Sequence, residues 1–159
     1  MIKLKISDAN DNSDFIRILF EIIHEVRQDI YWGVGDLEII PRFSGDYPGS
    51  GHHKHTEIAY NFGEKVEREK IAFVTTSQLI KVINDAQSIR RAVFVCFSNN
   101  ITYDFSLRPR VETKEINKLQ HELALLEIKV LDGDLLFVLS DDNKITVVLK
   151  NKLQEFITT

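Results

Sequence analysis

Residues 92–97 read Ala-Val-Phe-Val-Cys-Phe, an uninterrupted apolar run rich in β-branched and aromatic side chains. A run of this length and composition is typical of a strand that is buried on both faces. A second β-rich run, residues 101–105, follows after Ser98-Asn99-Asn100. Because asparagine tolerates positive φ, we predict a tight hairpin that joins the two runs as antiparallel neighbours.

Further strand-like segments lie on both sides of this predicted hairpin. Strands are predicted at residues 1–6, 36–41, 58–62, 71–74 and 145–149, together with a C-terminal β-meander that turns at Asp132-Gly133 and at residues 141–143. Most of the connections are short, and a parallel pair of strands needs a long crossover. The predicted sheet is therefore mainly antiparallel.

Three segments carry apolar residues at the three-and-four spacing of amphipathic helices: residues 15–30, 75–86 and 113–126. The second of them opens with Thr75 and Gln78 at the spacing of a capping box. We predict one globular domain, residues 1–159, of the α+β class. It would be a mainly antiparallel, twisted sheet of about eight strands with three helices packed on it.

Composition narrows the class of protein. The chain is 43% hydrophobic and 28% charged, as in a soluble globular domain, and its apolar runs are strand-sized rather than membrane-spanning. The N-terminus lacks the continuous apolar core of a signal peptide, so a cytoplasmic location is the default expectation. Cys96, the only cysteine, is expected to be a buried and unreactive thiol.

Charge is distributed unevenly along the chain. The formal net charge is −4, and residues 1–50 alone hold nine acidic and five basic side chains. A general nucleic-acid binder would show a basic patch, so we expect neither a nucleic-acid nor a membrane partner. The acidic first third is either a solvated face or a surface that meets a basic partner.

Residues 44–57 hold three of the five histidines and three of the seven glycines. His53, His55 and Glu57 would project from one face of an extended strand, because side chains alternate along it. Two histidines and a carboxylate are a ligand set for Fe(II) or zinc. The alternatives are an exposed glycine-rich loop or acid–base catalysis, and otherwise no cofactor is expected.

The segment that follows the first predicted helix, residues 31–39, pairs aromatic with acidic side chains. Trp32, the only tryptophan, is either a core anchor or an interface aromatic. Gly33 and Gly35 lack the third glycine of a dinucleotide fingerprint, so no phosphate cradle is predicted. Asp36 and Glu38 complete the segment with two carboxylates.

An acidic α+β domain without a catalytic motif, and with this aromatic pair followed by an acidic strand, resembles the small immunity proteins of bacterial toxin systems. The resemblance implies a protein that binds and occludes another protein, and the acidic first third of the chain favours a basic one. It favours binding over catalysis and leaves an enzyme open. The partner-binding residues that we predict are Trp32, Asp36, Glu38, Asp46, Tyr47 and Glu57. Two other hypotheses stand: a metal protein or metal-dependent enzyme using zinc or iron at His53, His55 and Glu57, and a subunit of a larger assembly.

Overall fold

The computed structural model describes residues 1–44, 54–55 and 57–159. In chain order the elements are β1 (Ile2–Lys5), α1 (Ser13–Val26), β2 (Ile30–Pro41), β3 (Phe43–Ser44), β4 (Lys54–His55), α2 (Glu57–Glu69), β5 (Ala72–Thr75), α3 (Thr76–Asn84), β6 (Ala86–Ser98), β7 (Leu126–Leu131), β8 (Leu135–Ser140), α4 (Asn143–Lys152) and a 3-10 turn (Gln154–Phe156). The α+β class is confirmed, but among the described residues the main sheet has six strands instead of about eight, and there are four α-helices instead of three.

The main sheet has six strands in the order β1-β8-β7-β6-β2-β5. Its neighbouring strands pair antiparallel throughout, as predicted. Strand β6 contains the apolar run 92–97 and lies between β2 and β7, so both of its edges are hydrogen-bonded. Among the described residues, β3 and β4 form a separate two-stranded ribbon.

Each face of the sheet is covered differently. On one face, alternate residues such as Trp32, Phe94 and Cys96 pack in one cluster with the apolar stripes of α1 and α3. On the other face, Tyr31, Val95 and Phe97 pack beneath the irregular segment 99–125, which contributes the side chains Ile101, Leu107, Val111, Leu119 and Ala124. Coverage of both faces explains why the run 92–97 is continuously apolar rather than alternating.

Several sequence predictions are confirmed. Helix α1 follows the predicted stripe, β1 and β5 lie within or next to the predicted strands, and β7 and β8 turn at Asp132-Gly133 with both residues at positive φ. Thr75 caps α3 with a full capping box, in which its hydroxyl accepts the Gln78 N–H while the Gln78 side chain accepts the Thr75 N–H. Within the described residues, no helix combines the length and apolar character that would let it cross a membrane.

Two predicted strands are helices. Residues 58–62 lie in α2, which buries Ala59, Phe62 and Val66 at helical spacing. Residues 145–149 lie in α4, where Asp142 accepts hydrogen bonds from the N–H groups of Lys144 and Ile145 and so starts the helix. Short apolar runs do not distinguish strand from helix, because the cap and the buried face decide between them.

The predicted hairpin to residues 101–105 and the predicted helix 113–126 are both wrong, because residues 99–125 form an irregular cover. Asp104 accepts hydrogen bonds from the backbone and hydroxyl of Ser106 and turns the chain there. Tyr103 lies on the ring of Phe73 instead of extending a strand. The strand partners of β6 are therefore the distant β2 and β7.

Candidate functional site

Trp32 lies in the core, where it is fully buried. Its ring packs edge-on against Phe20 with centroids 4.7 Å apart, and its Nε1–H donates to Thr76 Oγ1 at 2.9 Å. A side chain with no exposed surface cannot contact a partner, so the core-anchor interpretation is the one that the structure gives. Trp32 therefore leaves the set of candidate contact residues.

Asp36 lies at a β-bulge in β2 and adopts the left-handed conformation, with φ of 49°. Its carboxylate accepts a two-pronged pair of hydrogen bonds from Arg91, at 2.9 and 3.0 Å, and a third from the Val111 N–H at 2.8 Å. Desolvation alone would raise the pKa of Asp36, but the hydrogen bonds from Arg91 and Val111 outweigh it and the pKa lies below its ordinary value. Asp36 thus holds segment 108–112 against the sheet and is not a free contact residue.

The Asp36→Asn variant should be less stable than the wild type at neutral pH, by roughly 1.5–3 kcal/mol. Asparagine has nearly the same side-chain shape as aspartate and tolerates the positive φ, so the loss of stability reflects the missing negative charge. Because the folded-state pKa is lowered, this stabilisation is complete above the ordinary aspartate pKa of about 4 and disappears as the pH falls through the folded-state pKa. Urea unfolding at pH 7, 5 and 3 should show that the difference in free energy of unfolding between the wild type and Asp36→Asn becomes smallest at the lowest pH. An unchanged difference at pH 3, or a similar loss of stability in the exposed control Asp11→Asn, would contradict this assignment.

Of the predicted metal ligands, His53 lies outside the described residues, and His55 lies in the short strand β4. Glu57 is the first residue of α2. The one-faced arrangement required residues 53–57 to be extended, and Glu57 does not meet that condition. No group of three or more histidine, cysteine, aspartate or glutamate side chains within the described ranges is placed to hold a metal ion. Metal binding stays a prediction.

Glu38 lies in an open groove between the second half of β2 and the exposed face of α2. Together with Glu64 and Glu67 it surrounds an apolar floor, and Tyr60 lines the same cleft with 45% of its surface exposed. The floor consists of Leu37, Ile39, Pro41 and Gly63. Glu38 and Glu64 make no ion pair with any described residue. We call this part of the groove, of about 400 Å³, the acidic end.

Gly63 allows α2 to lie close to the strand in this groove. A Cβ atom at position 63 would be only 2.9 Å from Cγ2 of Ile39. Residues 57, 60, 64 and 67 recur at spacings of three and four, so Glu57 lies on the same helix face as Tyr60, Glu64 and Glu67. The predicted residue Glu57 therefore continues the acidic end along the helix, whereas Asp46 and Tyr47 lie outside the described residues.

The groove continues into a second cleft of about 320 Å³, which Lys70, Arg91, Arg108 and Arg110 line. Pro109 lies over Gly35, where an added Cβ atom would be 2.4 Å from Cγ of the proline ring. The second glycine of the Gly-Val-Gly segment thus makes room for the chain that carries Arg108 and Arg110. We call this part of the groove the basic end.

Cys96 and His121, two described side chains capable of nucleophilic or proton-transfer chemistry, are held in structural roles. Burial raises the pKa of the Cys96 thiol to about 12, which confirms the expectation of an unreactive thiol. His121 uses both ring nitrogens, because Nδ1 accepts the Leu123 N–H and Nε2 lies 3.1 Å from the Asp104 carboxylate. The groove, rather than either of these residues, is the best candidate site.

Glu38, on the β2 side of the groove, is among the contact residues predicted from sequence, whereas most of the residues on the α2 side are not. Glu64, Glu67 and Tyr60 were overlooked because residues 58–62 were assigned to a strand, although the i, i+3, i+7 spacing of polar side chains from Glu57 is a helical signal. Arg108 and Arg110 gave no signal of their own, because only the contact between Pro109 and Gly35 brings them to the groove. Neither a protein-family model nor a curated protein nor a solved structure matches this chain.

Proposed function

We propose that this chain is a non-enzymatic protein-binding domain, of the kind that immunity proteins represent, which neutralises a basic partner by occluding its surface. The observation that carries the proposal is the acidic end of the groove, where Glu38 and Glu64 form no ion pair with a described residue and lie beside an apolar floor and the exposed side chain of Tyr60.

The composition of the acidic end suits protein recognition. A tyrosine beside an apolar floor offers contact area at a small cost in side-chain entropy, and tyrosine is enriched among residues that dominate binding energy. Carboxylates at the rim accelerate association with a basic partner and penalise an acidic one. A lysine or arginine stem from the partner could lie along Ile39 and Pro41 while its charged group meets Glu38 and Glu64.

The proposal assigns separate tasks to the residues predicted from sequence. Glu38 and Glu57 supply charge, Asp36 fixes the position of segment 108–112, and Trp32 supports β2 from the core. Since Asp36 is neutralised by Arg91, charge steering is left to the glutamates of α2 and β2.

The double variant Glu38→Lys with Glu64→Lys tests the proposal by partner capture. Immobilised wild-type protein, exposed to a native lysate of the cells that produce it, should retain one protein at a stoichiometric level. The double variant should bind that protein roughly 10- to 100-fold more weakly, because each tenfold step corresponds to only about 1.4 kcal/mol. Binding by the wild type should also weaken between 50 mM and 500 mM salt, as screening of the exposed charges requires.

Asp11→Lys with Glu122→Lys is the matched control. These exposed carboxylates make no ion pair with a described residue and lie outside the groove, yet the change in net charge is the same. Equal losses in both double variants would show that net charge alone matters, and capture that survives Glu38→Lys with Glu64→Lys would overturn the proposal.

A further inference from the structure

We propose that the groove is two-ended and binds an extended partner segment that carries a basic side chain at one position and an acidic side chain a few residues away. This inference rests on the proposed protein-binding function and adds the chemistry of the bound segment. The basic residue would lie at the acidic end, and the acidic residue would lie at the basic end beside Arg108 and Arg110.

The two clefts adjoin each other. Leu37, Glu38 and Glu67 line both of them, so the acidic end and the basic end meet at these residues. The residues from Tyr60 to Lys70 follow the edge of the groove along α2 and its last turn. A helix rises about 1.5 Å per residue, which places the ends of this path roughly 15 Å apart.

Two arginines at the basic end are available to a ligand. Arg108 is steadied by hydrogen bonds from its Nη1 to the carbonyl oxygens of Phe105 and Leu107, at 2.6 and 2.9 Å. The backbone of Arg110 makes two hydrogen bonds with the Gln120 side chain: the Arg110 N–H donates to Gln120 Oε1 at 2.7 Å, and Gln120 Nε2 donates to the Arg110 carbonyl oxygen at 2.8 Å. Neither guanidinium pairs with a carboxylate of a described residue.

Arg91 and Lys70 are less available. Arg91 is occupied by Asp36 and also lies 3.3 Å from Glu112. Lys70 lies 3.8 Å from Glu67. The unpaired positive charge of the basic end is therefore concentrated on Arg108 and Arg110, where a planar guanidinium can take a carboxylate in two-pronged geometry.

The shape of the groove favours an extended segment. Gly63 brings α2 within contact of Ile39, and this close approach leaves a narrow floor. A helix with its side chains is about 10 Å across, whereas an extended chain is thinner and covers roughly 15 Å with four or five residues. Charge complementarity then requires opposite charges on the segment that are separated along it rather than adjacent.

Synthetic peptides test this inference directly. The probes are acetylated and amidated fluorescent hexapeptides of one composition, four alanines with one lysine and one aspartate, made in both orders and at every separation. Fluorescence anisotropy at low salt should show that peptides with three or four residues between the charges bind about tenfold more tightly than those with adjacent charges. Both orders of lysine and aspartate should show this dependence on separation, because a peptide can lie along the groove in either direction.

The variant Arg110→Glu should lose the preference for separated charges, because it replaces a positive charge of the basic end with a negative one. Lys114→Glu is the matched control on the same irregular segment, since Lys114 is exposed and lies outside the groove. Unfolding midpoints and tryptophan emission establish that each variant is folded. Affinities that depend on composition alone, or a separation preference that survives Arg110→Glu, would overturn the inference.

The captured partner separates this inference from the function on which it rests. The single variant Arg110→Glu should weaken capture of that partner about tenfold, and Lys114→Glu should leave it unchanged. If capture is sensitive to Glu38→Lys with Glu64→Lys but insensitive to Arg110→Glu, then the two-ended groove is wrong while the binding function stands.

Discussion

The Lys129→Met variant should lose about 3–5 kcal/mol of the free energy of unfolding, because it leaves the Glu127 carboxylate buried without its countercharge. Glu127 and Lys129 are two residues apart on β7 and project from the same face, where their side chains are 0% and 1% exposed. Their charged groups lie 3.3 Å apart.

This ion pair also attaches the irregular cover to the sheet. The Glu127 carboxylate accepts the backbone N–H of Gln120 at 2.9 Å and its side-chain N–H at 2.8 Å, while Lys129 donates to Thr113 Oγ1 at 3.0 Å. Loss of one charge should therefore release residues 110–120 before the rest of the domain unfolds. Limited proteolysis of Lys129→Met should show early cleavage in that segment.

The double variant Glu127→Gln with Lys129→Met is the control for the burial of charge. It removes both charges and keeps an amide that can bond to Gln120, so its free energy of unfolding should recover to within about 2 kcal/mol of the wild type. Denaturant unfolding of the wild type, of both single variants, Glu127→Gln and Lys129→Met, and of the double variant measures the coupling. If Lys129→Met is as stable as the wild type, or if the double variant is no better than the single one, this pair does not act as described.

The Trp32→Ala variant should also lose about 3–5 kcal/mol, through lost burial and the cavity that remains between β2 and α1. Trp32→Phe should lose less, since it keeps an aromatic ring against Phe20 and forfeits mainly the hydrogen bond to Thr76. The exposed residue Val147 on α4 provides the control, and Val147→Ala should change stability by no more than about 0.5 kcal/mol.

Partner binding distinguishes the two roles considered for Trp32. A core anchor affects capture only through the folded fraction, so Trp32→Phe should bind the partner normally at a temperature where it is folded. Weakened capture by a fully folded Trp32→Phe protein would restore the interface role. The emission of this single tryptophan should be that of a buried indole and should shift to longer wavelength only on unfolding.

The outcome for individual elements shows where sequence is informative. Helix α1 and the start of α3 were predictable because a long apolar stripe and a capping box are local signals, each contained in one stretch of chain. Segments 58–62 and 145–149 carry short apolar runs that fit either period. The helical signals lie outside these short runs, in the Asp142 cap before one and in the polar spacing that begins at Glu57 around the other, and the choice of state also depends on which face meets the sheet.

The candidate site likewise contains residues that local sequence signals indicate and residues that only long-range contacts bring together. Glu38 and Glu57 could be selected from sequence because they flank an aromatic and glycine-rich region with an excess of carboxylates. Arg110 could not be selected from sequence, because it comes close to Asp36 only after segment 108–112 has packed against the sheet. The alternation of charged and apolar residues in β7 is likewise the pattern of an exposed face, yet Glu127 and Lys129 are covered.

The α+β class, the antiparallel sheet, and the burial of the run 92–97 and of Cys96 follow from local periodicity and hydrophobicity, so they could be predicted from sequence. The strands that flank that run, the cover on each face of the sheet and the pairing of the buried charges could not be predicted in this way, and they depend on the complete fold. An ion pair such as Asp36–Arg91, or the contact of Pro109 with Gly35, joins residues that are distant along the chain. The energy of such a contact depends on geometry that no single stretch of sequence contains.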